Sequence, residues 1–146
     1  LAILQGFSAW EAQHPIKVES LELAFSHFAN ATLGYGGRLD FLGEVGEVDL
    51  EGKPGNFQRL VVDWKSQETK PNKPFTIYPE WGVQLAAYAH GIGEPDLPGL
   101  SVIISRNEPG RIQSYRWTED WRWPAFEALK YVWHSPLGAG SRLRRN

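Results

Sequence analysis

The chain of 146 residues contains no cysteine and no methionine. Without cysteine it can form no disulfide, no zinc–thiolate centre and no cysteine-ligated iron–sulfur cluster. It also lacks an excess of positive charge: 15 Lys and Arg stand against 17 Asp and Glu, for a formal net charge of -2. No global basic field draws a polyanion, so a nucleic-acid partner has to be held by local patches or through metal ions. No apolar run approaches the length of a membrane span, and no signal-peptide pattern is visible. The expectation is an intracellular, cytoplasmic chain with no membrane partner. In that setting the glycosylation-like triplet Asn30-Ala-Thr32 is a chance match. The first residue is Leu1 and no Met follows, which suggests a piece of a larger parent chain that is missing residues at its N-terminus.

Aromatics are plentiful, with 7 Trp, 7 Phe and 5 Tyr. Together with the length they predict a single domain over 1–146 with a substantial core. The most informative stretch is Arg59-Leu-Val-Val-Asp-Trp-Lys-Ser66, whose β-branched and aromatic middle predicts a strand. Side chains alternate along a strand. Val61, Asp63 and Lys65 therefore share one face, and Val62 and Trp64 share the other. A carboxylate and an ammonium are thus set side by side at the end of an apolar run. Upstream, Gly34-Tyr-Gly-Gly-Arg-Leu-Asp40-Phe-Leu42 predicts a second strand. The segment 43–56, rich in Gly, Glu, Asp and Pro, predicts the hairpin loop between them. That pairing places Asp40 beside Asp63.

The rest of the chain supplies flanking elements. Ile3, Leu4, Phe7 and Trp10 recur at helical spacing, and Pro15 ends that helix. Residues 16–25 alternate as a strand with a change of face near Ser20, and 27–33 form a loose connection. After Lys65 comes a polar loop carrying Lys70 and Lys73, which fits either a solvated surface loop or a flexible arm that meets a phosphate backbone. Residues 78–90 form the clearest helix, with Pro79 at its first position, Glu80 at its positive end and Gly91 and Gly93 beyond it. Gln84 and Tyr88, four apart, share a face of it. Strands follow over 100–105 and 112–117, joined by the turn Asn107-Glu-Pro-Gly110. Thr118 is the expected N-cap of a last helix, with Glu119 and Asp120 in its first turn. The Gly-rich, then basic end with Arg142, Arg144 and Arg145 is read as a frayed tail. The order α-β-β-β-α-β-β-α predicts an α/β domain, a mixed central β-sheet flanked by helices.

These residue types suit phosphodiester chemistry. A hard divalent cation wants oxygen ligands and keeps several waters. Asp40, Asp63 and the backbone carbonyl of Trp64 are candidate ligands, and Glu22 on the preceding strand is a further one, with Glu19 competing for that role. Lys65 is placed to orient an attacking water or to hold charge that builds on the phosphate. Gln84 offers an amide and Tyr88 a phenol to a phosphate or a base. Taken singly, each has a bland reading: Asp63 with Lys65 as a surface ion pair, Asp40 as a turn carboxylate, Glu22 on the solvent side of an edge strand, Gln84 as an exposed helix residue, Tyr88 as a core aromatic. It is the ordered set that raises the chemical reading.

That set, Gly36-Gly-Arg-Leu-Asp40, Val61-Val-Asp-Trp-Lys-Ser66 and Tyr78-Pro-Glu-Trp-Gly-Val-Gln-Leu-Ala-Ala-Tyr88, resembles the PD-(D/E)xK nuclease superfamily, specifically its RecB-like exonuclease branch. The resemblance runs from Val18 to about Tyr88. It implies a restriction-endonuclease-like core, Mg2+ or Mn2+ held by Asp40 and Asp63, a catalytic Lys65, the accessory pair Gln84 and Tyr88, and a DNA substrate, commonly single strands or ends. The expected function is a metal-dependent deoxyribonuclease, acting as an exonuclease in DNA repair, recombination or phage replication, within a larger chain or complex. The alternatives are a catalytically silent nuclease-like DNA-binding or assembly module and an unrelated domain whose tryptophans form a partner surface. The cysteines that bind an iron–sulfur cluster in some relatives are absent, which makes this a cluster-free member. An upstream helix that carries a further active-site residue in many relatives is short or missing, and His14 does not replace it.

Overall fold

The computed structural model describes residues 1–27, 34–136 and 138. The glycosylation-like triplet and the basic tail lie outside the described residues. Within them the chain runs α1 (Ala2–Gln13), β1 (Ile16–His27), β2 (Tyr35–Val48), β3 (Pro54–Gln67), α2 (Pro79–Gly91), β4 (Gly99–Ser105), β5 (Ile112–Trp117) and α3 (Arg122–His134). This is the predicted order of elements. The strands form one five-stranded mixed sheet in the order β1-β2-β3-β4-β5. All neighbours are antiparallel except β3 and β4, which are parallel. A parallel pair needs a crossover connection, and α2 supplies it.

The sheet is apolar on both faces: alternation sends Leu60 and Val62 of β3 to one side and Val61 to the other, and separates Phe41 from Leu42 on β2. Phe41, Val45, Leu60, Val62, Val102 and Ile104 pack with Trp10 on the α1 side, where Phe7 and Trp64 join them. Leu39, Leu42, Val61, Leu85 and Trp117 pack on the α2 side. β4 lies inside the sheet between β3 and β5 and is covered on both faces, and all seven of its residues are buried. It accordingly reads as an apolar run rather than an alternating one. α3 packs on the outer side of α2, where Trp123 stacks on His90 with ring centroids 3.7 Å apart. α2 approaches the sheet closely at Gly82, where an added Cβ would lie 2.5 Å from the Trp117 ring.

Three expectations are corrected. The β2–β3 connection is much shorter than 43–56: pairing continues to Val48↔Pro54, and only 49–53 turn, with Asp49 Oδ1 accepting from the backbone N–H groups of Glu51 and Lys53 at 2.9 and 2.8 Å. Gly43 and Gly46 serve close strand packing instead, while Gly52 stands in the turn itself with φ 81°. At Gly43 a Cβ would come within 2.2 Å of the Lys17 carbonyl oxygen. The last helix starts at Arg122, with Trp121 at the N-cap and no acidic residue in its first turn, so Thr118 is not its cap. Pro124 has no N–H to give and fits only in a first turn, which sets the start close before it. The loop after β3 is not a free arm. Buried Thr69 bonds Ser105 Oγ at 2.6 Å and accepts Asn107 Nδ2 at its carbonyl at 2.7 Å, and Arg111 donates to the carbonyls of Lys70 and Lys73. The expected change of face in β1 is present as a register shift between Val18 and Ser20.

Candidate active site

The site lies where the sheet forks. The last β2–β3 pair at this end is Phe41↔Val62. Beyond it β2 continues beside β1 as far as His27↔Tyr35, and β3 continues beside β4 as far as Gln67↔Ser105. Asp40 and Asp63 are therefore the first residues past the last shared pair, one on each prong. The Trp64 N–H reaches across to Asp40 Oδ2 at 3.4 Å. In a strand the N–H and C=O of one residue point to the same edge, so the Trp64 carbonyl is also directed into the gap.

Alternation puts Asp63 and Lys65 on one face, as predicted; that face is the α2 side, while Trp64 packs on the α1 side against Phe7 and Trp10 at ring-centroid distances of 5.3 and 5.4 Å. Asp63 is 2% exposed. Burial pushes its carboxyl above the usual range; Lys65 and the Ser101 hydroxyl oppose that rise, and the charge of Asp40 adds to it. Lys65 Nζ lies 2.9 Å from Asp63 Oδ2. The contact is ionic rather than an aligned hydrogen bond, because Oδ2 is buried with no hydrogen-bond donor directed at it. Lys65 instead donates to Gln84 Oε1 at 3.1 Å, and Gln84 Nε2 donates to the Tyr88 hydroxyl oxygen at 2.6 Å. The chain of donors runs one way, so the Tyr88 O–H keeps its proton for a further acceptor. Burial raises the Tyr88 phenol, with Asp40 and Asp63 adding to the rise, and keeps it protonated. The four-residue spacing of Gln84 and Tyr88 on α2 makes this alignment possible.

The structure thus brings together Asp40, Asp63, Lys65, Gln84 and Tyr88. It does not bring in the remaining candidates. Among the described residues no three His, Cys, Asp or Glu side chains gather as a metal site, so Glu22 does not join the two aspartates. Glu22 is exposed and has a left-handed backbone, φ 50°. Glu19 is committed elsewhere: Arg59 donates to both of its oxygens at 2.7 and 2.9 Å and also pairs with Glu94. Lys70 and Lys73 are exposed on the anchored loop and form no ion pair among the described residues.

Asp63 Oδ2, buried beside the Lys65 ammonium, the exposed carboxylate of Asp40 and the Trp64 carbonyl make an all-oxygen donor set. Such a set fits Mg2+ or Mn2+, since magnesium is commonly held by one or two carboxylates with waters completing the shell.

Two residues at the site escape a reading of the sequence. Ser101 on β4 is fully buried and donates its Oγ–H to Asp63 Oδ1 at 3.0 Å, and Trp117 on β5 donates its Nε1–H to Ser101 Oγ at 3.0 Å. The available signal was a hydroxyl inside the apolar run 100–104, where a buried polar group requires a partner. Beside the site, a cavity of about 1000 Å3 opens between β1, β2, α2 and α3, and Gln84 and Tyr88 form one wall of it. Phe25, Tyr35, Phe126, Trp133 and Lys130 also line it.

No family model matches the chain, and comparison with curated proteins gives no significant match. Among solved structures it is similar to the crystal structure of SSO0001, with 19% identity, a TM-score of 0.44 and coverage of 87% of this chain. The chain spans about half, 51%, of that protein. At that score the likeness carries no functional weight. No described helix is long and apolar enough to cross a membrane.

Proposed function

We propose that this chain is a divalent-metal-dependent deoxyribonuclease with a restriction-endonuclease-like core, akin to the RecB-like branch of the PD-(D/E)xK nucleases, and that it acts as an exonuclease on DNA ends or single strands. One observation carries the reading. Two aspartates face each other across a fork in the sheet, and the lysine paired with one of them is held by a glutamine four residues from a tyrosine. Asp40, Asp63 and the Trp64 carbonyl would hold the Mg2+ or Mn2+. When bound, such an ion neutralises phosphate charge and makes water a better nucleophile.

The chain's own groups supply the rest. Lys65, anchored by Gln84, presents an ammonium to the charge that grows on the phosphate in the transition state. The Tyr88 O–H donates to a phosphate oxygen and sets its position. Burial of Asp63 lowers the local dielectric and strengthens each of these contacts. The aromatic cavity beyond Gln84 and Tyr88 supports single-stranded DNA as substrate, because unpaired bases stack on aromatic rings whatever their sequence. Repair, recombination and phage replication all use such an activity.

The test uses end-labelled linear and closed circular DNA, single- and double-stranded, with Mg2+, Mn2+ or EDTA. Metal-dependent release of label from linear but not circular DNA is expected. Cleavage that persists unchanged in both Asp63→Ala and Lys65→Ala would falsify the reading, and metal-independent DNA binding without turnover would identify a silent module instead.

A further inference from the structure

The metal ligand Asp63 is not free to turn. A tryptophan N–H can only donate, so the bond from Trp117 Nε1 occupies an acceptor site on Ser101 Oγ and leaves the one Ser101 proton for Asp63 Oδ1. The direction of the relay is therefore fixed: Trp117 to Ser101 to Asp63. The three side chains are 3%, 0% and 2% exposed, so water does not compete for these bonds. The backbone fixes the relay as well. Asp63 and Ser101 are register partners on β3 and β4. Ser101 pairs with Tyr115 on β5, and Trp117 follows two residues later on the same face. Gly82 of α2 presses on the Trp117 ring from the other side.

The Ser101 bond takes one lone pair of Oδ1 and holds that oxygen toward β4, so Oδ2, which faces Lys65 Nζ at 2.9 Å, is the oxygen left for a cation. We infer that Ser101, held by Trp117, is a positioning residue that restricts Asp63 to one ligand oxygen and so selects a small octahedral cation over Ca2+. The inference rests on the metal-dependent reading above. The physical reason is coordination number. Mg2+ and Mn2+ suit six single-oxygen contacts at short distance. Ca2+ takes six to eight and readily accepts a bidentate carboxylate. A carboxylate that cannot become bidentate withholds a contact Ca2+ would use. It costs the smaller ions nothing and presents them with an oxygen already in place.

Mn2+ binding to the purified chain, followed by water-proton relaxation with Ca2+ as competitor, tests this without reference to cleavage. In the unaltered chain Mn2+ binds, Asp63→Asn abolishes that binding, and Ca2+ displaces Mn2+ poorly. In Ser101→Ala, Mn2+ affinity is expected to fall about 10-fold or more, and the Ca2+-to-Mn2+ affinity ratio to rise several-fold, because Oδ1 is released. Trp117→Phe keeps the ring and removes only the N–H. It is expected to move both quantities the same way by less, and it carries the test if Ser101→Ala does not fold, as judged by circular dichroism in EDTA. If Mn2+ binds in an Asp63-dependent way but the folded variants leave both affinity and ratio unchanged, the positioning role is wrong and the metal reading stands. If the unaltered chain binds no Mn2+, both fall together.

Discussion

Asp40 and Asp63 stand opposite each other at the first position where β2 and β3 no longer pair. Their separation is a property of the fork rather than of either strand. A fork exposes backbone and carboxylate oxygens to one small volume, and the site depends on both prongs. Asp40→Asn, Asp63→Asn and Lys65→Ala are each expected to lower turnover about 100-fold or more, with far-ultraviolet circular dichroism unchanged. Retained turnover in any one of the three would remove that residue from the site.

Metal binding is also expected to register as stability. A ligand that binds only the folded chain stabilises it by about 2.7 kcal/mol at a concentration 100 times its dissociation constant. Thermal unfolding with and without Mn2+ measures this directly. The rise in Tm should appear in the unaltered chain and vanish in Asp63→Asn; an equal rise in both would place the ion elsewhere.

Gln84 and Tyr88 continue an alignment of donors that starts at Lys65. Gln84→Leu leaves the Lys65 ammonium without its anchor, and Tyr88→Phe removes the last donor. Each is expected to lower kcat about 10-fold, equivalent to about 1.4 kcal/mol of transition-state stabilisation. Steady-state kinetics on a labelled oligonucleotide decides it. A change confined to KM would show that the pair binds substrate in ground and transition states equally.

Gly82 sits against the Trp117 ring, and a Cβ there would lie 2.5 Å from it. Alanine favours a helix by up to about 1 kcal/mol over glycine, but pushing a buried indole costs about 1–3 kcal/mol. Gly82→Ala is therefore expected to destabilise, by a net amount of up to about 2 kcal/mol, in urea unfolding. A more stable Gly82→Ala would mean that α2 can lift from the sheet at no cost.

His90 gives the pH dependence. Burial holds its imidazole below the ordinary value of 6.5; nearby Glu127 opposes this and does not overcome it. The folded chain thus resists a proton that the unfolded chain accepts. Stability is full above about pH 6.5 and falls as pH drops through that value towards the folded one. His90→Phe keeps a ring over Trp123 and is expected to flatten the difference in unfolding free energy between about pH 7.5 and about pH 5.5, a window spanning the ordinary histidine value. An unchanged slope would assign the acid sensitivity to other groups.

Much of this was legible in the residues. The strand at 59–66 announced itself through β-branched content, and its alternation put Asp63 with Lys65 and Trp64 on the opposite side, as the structure has them. The i, i+4 spacing of Gln84 and Tyr88 gave a shared face, and they bond across it. Segment 43–56 reads as a loop although its first part, 43–48, is strand, because glycine marks close packing as well as turns and sequence alone does not separate the two uses. Thr118 and Glu119 have cap chemistry, yet α3 starts at Arg122, because Pro124 decides where a first turn can be.

The elements, their order and which side chains share a face follow from local periods of 2 and 3.6 residues. It takes the folded chain to part β2 and β3 at Asp40 and Asp63, to give Glu19 to Arg59 while Glu22 stays outside, and to set Ser101 and Trp117 behind the buried carboxylate. Those outcomes depend on the register between strands far apart in the chain and on the partner each buried polar atom finds. Neither is encoded in any local window.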